Sequence, residues 1–125
     1  MITLYGINNC DTIKKTRQWL EDKGLEYQFH NYRILGCSDE LITCFLEQFS
    51  FQKLINTRGT TWRNLPENVK KSLSREDAII LMKEKPSIIK RPLINRGNQW
   101  ILGFDLVQLE RIKWETQNNS GKINE

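Results

Sequence analysis

The strongest constraint on this fold lies in the first 32 residues, where the pattern changes from strand to helix and back to strand. Residues 2–5, Ile-Thr-Leu-Tyr, form a short apolar run. Gly6-Ile7-Asn8-Asn9-Cys10-Asp11 reads as a turn that opens a helix, because Asn and Asp side chains satisfy the free N–H groups of a first helical turn. From residue 11 to about 23, Ile13, Thr16 and Leu20 share one face, and Gly24 is a natural stop. Residues 26–32 then alternate polar with aromatic (Tyr27, Phe29 and Tyr32, with His30 the exception), which is strand periodicity. A β-α-β opening follows, and the handedness of such crossovers favours parallel strands.

After Gly36 the period becomes helical. Leu41, Ile42, Phe45, Leu46 and Phe49 recur at helix spacing, and Phe51, Leu54 and Ile55 carry the apolar surface into a short turn. Residues 56–61 form a polar loop with Arg58 and Gly59. Pro66 suits a helix start. Ser74 and Asp77 form a capping box before residues 78–82, and Pro86 ends that helix. Strand character returns at Leu93-Ile94 and Trp100-Ile101-Leu102, with a turn around Gly97, which predicts an antiparallel hairpin. Asp105 can cap a last helix burying Leu106, Leu109 and Ile112. The expected fold class is α/β: a small mixed sheet in β-α-β / β-β-α order, the thioredoxin topology, with a helical insert at about residues 38–85. One domain over residues 1–116 and a flexible tail over 117–125 complete the expectation.

With 125 residues the chain is long enough to bury a core without staples. No apolar run reaches a membrane span, and residues 1–4 do not read as a signal peptide, so the cytoplasm is the expected location. The three cysteines, Cys10, Cys37 and Cys44, argue against a secreted disulfide framework. They and the single His30 match no closed zinc pattern, so no metal is expected. A net charge of +4 fits a pocket for small anions or plain solubility. The basic residues form no concentrated arm, and Trp62 and Trp100 lie outside any RNA-reading motif, so no nucleic-acid partner is expected. They read as buried or half-buried aromatics.

Cys10 is the candidate reactive centre. It follows a strand and opens a helix, where unpaired N–H groups and the helix dipole favour a thiolate. Thr12 can offer its hydroxyl, and Lys14 places positive charge one turn on. Asp11 opposes the anion unless it turns away. Ile13 stands where a second cysteine would complete C-x-x-C, so any sulfur partner comes from glutathione, another protein or a distant cysteine. Cys44, inside an apolar helical pattern, reads as core; Cys37, after a glycine in a loop, reads as more exposed. Arg58 in the polar loop and Arg91 before Pro92 carry planar donor forks suited to oxyanions. Either one alone also reads as an ordinary surface charge. Pro92 can adopt a cis bond that bends the chain toward the first helix.

Taken in order, Tyr5-Gly6-Ile7-Asn8-Asn9-Cys10-Asp11-Thr12-Ile13-Lys14-Lys15, Asn56-Thr57-Arg58-Gly59-Thr60-Thr61-Trp62, Lys90-Arg91-Pro92 and Gly103-Phe104 resemble the ArsC/Spx family, and most the YffB-like branch of arsenate reductase-related proteins. The resemblance spans roughly residues 2–115. It implies a thioredoxin-like fold with a helical insertion. It also implies a cysteine nucleophile at Cys10, oxyanion-binding arginines at Arg58 and Arg91, and a cis bond before Pro92. Thr12 and Lys14 join the implied anion site, with Asn9 and Pro92 as structural residues beside it.

The implied activity is that of a thiol or oxyanion oxidoreductase, here a glutathione-dependent thiol reductase with no tightly bound cofactor. Glutathione, or another small anionic or thiol substrate, is the expected partner, with glutaredoxin as an accessory and the protein a monomer. One alternative is arsenate reduction with glutathione and glutaredoxin. The family's arsenate reductases use a further arginine after the hairpin, where this chain reads Leu102-Gly103-Phe104-Asp105. The other is a non-enzymatic, Spx-like role in contact with transcription machinery, although Spx proteins typically carry the C-x-x-C switch that Ile13 removes.

Overall fold

The computed structural model describes residues 1–111. Strand β1 (Ile2–Gly6) leads into helix α1 (Asp11–Asp22) and strand β2 (Tyr27–Asn31). The insert follows as α2 (Tyr32–Leu35), α3 (Asp39–Gln48), α4 (Phe51–Leu54), α5 (Thr60–Arg63), α6 (Glu67–Lys71) and α7 (Arg75–Glu84). A 3-10 turn, Pro86–Ile88, then delivers the chain to β3 (Leu93–Arg96), β4 (Gln99–Leu102) and α8 (Leu106–Arg111). The sheet order is β2-β1-β3-β4, with β1 parallel to β2 and antiparallel to β3, and β3 antiparallel to β4. This is an α/β thioredoxin-like arrangement, with the mixed sheet and β-α-β / β-β-α order expected above.

Alternation along the strands divides the interior into two cores. Ile2, Leu4, Ile94 and Ile101 face α1 and α8, where Ile13, Leu20 and Leu109 are buried. Leu93 and, partly buried, Tyr5, Trp100 and Leu102 face the insert, where Ile42, Phe45, Leu54, Ala78 and Met82 pack. The molecule is therefore three-layered. Cys10 packs against both cores, which puts it at the edge of the sheet between the layers.

Several boundaries differ from expectation for local reasons. β2 stops at Asn31 because its side chain accepts the Arg33 N–H and caps α2, so Tyr32 begins a helix. The hairpin is tighter than expected: β3 runs to Arg96, β4 starts at Gln99, and Gly97 turns at φ 59°. The polar loop ends early, since α5 starts at Thr60. Asp105 Oδ1 caps α8 by accepting the N–H groups of Val107 and Gln108. Leu109 is fully buried there, but Leu106 is 49% exposed, contrary to expectation. Three residues turn a helix about 60° short of a full circle, so a helix held by Leu109 carries Leu106 off the sheet. Ile112 and the expected tail lie outside the described residues.

The cysteines also reverse their expected burial. Cys37 is 5% exposed, whereas Cys44 is only partly buried. Gly36, at φ 74°, turns the chain so that residue 37 joins the core beside Tyr32. The buried stripe of α3 is Ile42 and Phe45, which leaves Cys44 on its flank. Trp62 and Trp100 are both partly buried, as expected.

Candidate active site

The last residue of β1 and the three that follow it prepare the cysteine. Gly6 ends the strand, and a methyl group there would collide with the Ile13 side chain, whose Cγ1 lies 2.9 Å from an ideal Cβ, while Arg91 Cδ at 3.8 Å would be in ordinary contact with it. The missing side chain thus lets Ile13, in the first turn of α1, close over the strand end. Ile7 is buried and anchors the turn. Asn9, exposed, adopts φ 60°, a left-handed conformation that Asn tolerates better than most residues. The chain then reaches Cys10 in an extended conformation as the N-cap of α1.

The expected capping by Asn or Asp is not what is found. Cys10 itself holds the cap position, with no side-chain cap hydrogen bond of full geometry. The Ile13 N–H nevertheless faces the sulfur and favours its anionic form. Thr12 Oγ1 lies 3.1 Å from Cys10 Sγ. Arg91 Nε donates to the same sulfur at 3.4 Å. Partial burial pushes the thiol pKa up, but the Thr12 hydroxyl, the Arg91 guanidinium and the Ile13 N–H together outweigh it and lower the value from 9.0 to about 7. Near neutral pH a large share of Cys10 is thiolate, the nucleophilic form.

Arg91 is fixed from behind. Its Nη1 donates to Ser87 O at 2.6 Å and to Ile89 O at 3.3 Å. Ser87 is tied to Thr61 through a 2.9 Å hydroxyl pair. The Arg91–Pro92 bond is cis, and the buried Pro92 accepts the Gly103 N–H at 2.8 Å. The carbonyls of residues 87 and 89 went unread in the sequence, since backbone acceptors leave no residue-type signal. Tyr32, which the sequence marks only as a strand aromatic, buries a hydroxyl with no partner among the described residues. Burial first, then Cys37 and Tyr5, push its pKa up, while Arg91 opposes them, so the four groups share one neighbourhood. Burial alone pushes Cys37 up to about 12, which keeps it a neutral thiol.

Lys14 and Arg58 make no side-chain hydrogen bond to the sulfur among the described residues. Lys14 is exposed, and its contact with Cys10 is the backbone bond from Lys14 N–H to Cys10 O at 3.0 Å. Arg58 is exposed, its N–H donating to Asn56 Oδ1 at 3.1 Å. Its side chain lines a groove of about 630 Å³ together with Lys53 and Lys90, and Cys10 is not among the lining residues. Among the described residues, no three His, Cys, Asp or Glu side chains converge as metal ligands, and no helix is long and apolar enough to cross a membrane.

The arrangement, a helix-start cysteine before a cis proline on a thioredoxin-like sheet, matches known proteins over most of the chain. The model of the ArsC family matches residues 5–112. The chain belongs to the ArsC family. An uncharacterised Haemophilus influenzae protein is 45% identical over 105 residues, 84% of this chain and 92% of that one. A global transcriptional regulator Spx from Streptococcus pyogenes is 32% identical over 108 residues, covering 84% of this chain and 79% of its own. Among solved structures, a YFFB protein superposes with a TM-score of 0.83 at 37% identity, covering 88% of this chain and 96% of that one. An ArsC-related protein from Brucella melitensis does so at 0.74 and 43%, covering 87% and 91%. Within the ArsC/Spx family the chain stands with the YffB-like branch, and it shares the family's thiol-redox fold and reactive-cysteine region.

Proposed function

We propose that this ArsC-family protein is a single-cysteine, glutathione-dependent thiol reductase. The observation that carries the reading is the Arg91 guanidinium 3.4 Å from a helix-capping Cys10 sulfur, with no second cysteine at residue 13. Arg91 and Thr12 hold the anion, and the N–H groups of the first turn of α1 favour it.

In the first step the Cys10 thiolate attacks one sulfur of a substrate disulfide. A bond forms between Cys10 Sγ and that sulfur, the old sulfur–sulfur bond breaks, and the other half leaves as a thiolate. In the second step a glutathione thiolate attacks the mixed disulfide and releases Cys10 as thiolate. Where the sulfur bound to Cys10 is itself glutathione's, the product is glutathione disulfide. Otherwise the product joins glutathione to the substrate half, and a second glutathione thiolate releases that half as thiolate and forms glutathione disulfide, so two glutathione thiols supply the two electrons overall; glutaredoxin can serve as the thiol donor of the second step. The chain acts as a monomer in the cytoplasm, a reducing setting that suits three free cysteines.

Turnover of bis(2-hydroxyethyl) disulfide with glutathione, coupled to glutathione reductase, tests this. The wild type should accelerate the reaction and Cys10→Ser should not; equal rates for the two would refute the reading. Arsenate in place of the disulfide should give no turnover, because residues 102–105 hold no arginine and Arg58 makes no hydrogen bond to Cys10 among the described residues.

The Spx relative, named as a global transcriptional regulator, favours a second reading: contact with a protein partner without turnover. That reading predicts partner capture unchanged in Cys10→Ser.

A further inference from the structure

Three of the grooves on the described surface differ in the charges that line them. Two include carboxylates, Asp77 and Glu84 in one, and Asp105 in the other, which shares Lys90 and Leu102 with the third. The third carries Lys53, Arg58 and Lys90 and no carboxylate. Among the described residues, none of these three cationic ends forms an ion pair. Like charges gathered in a concave site repel one another unless an anion joins them.

The cations come from separate segments that the backbone ties together. Lys53 is on α4 and Arg58 follows it in the loop, while Lys90 lies before β3. The Asn56 N–H donates to Ile88 O at 2.8 Å, the Lys90 N–H donates to Leu54 O at 2.7 Å, and Ile55 bridges Ile89. Gln52 and Gln108 add amide donors at the rim, and the volume of about 630 Å³ falls within the range of small-molecule sites. Lys90 is the chain neighbour of Arg91, whose Nε donates to the Cys10 sulfur.

We propose that this groove binds the carboxylates of a small acidic peptide thiol, the end of the co-substrate that does not react. The identity of that ligand rests on the reductase reading; the binding itself does not require Cys10 to react. S-methylglutathione, whose blocked sulfur cannot form a disulfide, is the probe. Titrated into the full chain, it should shift backbone amide signals at residues 52–58 and 90. Lys53→Gln and Lys90→Gln, both at exposed positions, should each weaken binding roughly two- to five-fold, and together more. The dimethyl ester of the same peptide should lose binding, and Cys10→Ser should retain it. Absence of binding, equal binding of the ester, or indifference to both lysine variants would overturn the proposal. Such a failure beside an active Cys10 leaves the reductase reading standing. Groove binding beside an inert Cys10 keeps the carboxylate site and removes the reductase.

Discussion

At the scale of single residues, the site depends on a side chain that is absent. Gly6 lets Ile13 pack over the end of β1. Gly6→Ala should therefore cost about 1–3 kcal/mol by overpacking against Ile13, read as a lowered denaturant midpoint. Wild-type stability in that variant would show that Ile13 yields freely. Cys10 was legible in the sequence because a strand, a polar turn and a helix start flank it. Arg91 was legible as a donor fork next to a proline. What holds Arg91 was hidden, since the acceptors are the carbonyls of Ser87 and Ile89 and carry no side-chain signature. The burial of Cys37 was hidden too: a glycine before a cysteine suggests an open loop, but Gly36 at φ 74° turns residue 37 inward.

At the scale of elements, capping explains which boundaries could be read. The Ser74 and Asp77 box at the start of α7 is present in both directions, Asp77 N–H to Ser74 Oγ at 3.1 Å and Ser74 N–H to Asp77 Oδ2 at 3.3 Å. Ser74→Ala should cost about 1 kcal/mol in unfolding free energy; an unchanged value would mean the rest of the insert holds α7. α1 departs from this pattern, because a cysteine stands at its cap and Asn8 and Asn9 leave the first turn open. An uncapped helix start gives up some stability and leaves N–H groups free to face a thiolate. The short helices of the insert were harder to delimit. α4 and α5 have four residues each, too few for a period to show.

For the whole molecule, the two cores on either face of the sheet place Cys10 at their shared edge, and the two most contrasted thiols impose opposite pH dependences on stability. Cys10 is lowered to about 7 in the fold, so between there and its unfolded value of 9.0 the unfolded chain binds more protons and stability rises with pH. The slope should be well below the full value of about 1.4 kcal/mol per pH unit, because the sulfur is partly exposed and screened. Cys37 is raised to about 12, so above pH 9 the unfolded chain loses the proton first and stability falls. Chemical unfolding from pH 6 to 10 should show the rise disappear in Cys10→Ser and the alkaline fall diminish in Cys37→Ala; unchanged profiles would contradict both assignments. The central claim is tested most directly by the rate of Cys10 alkylation with iodoacetamide as a function of pH, with Cys37 and Cys44 replaced by alanine. The midpoint should lie at about 7 and move upward in Arg91→Gln. A midpoint near 9.0, the same with and without Arg91, would contradict the account.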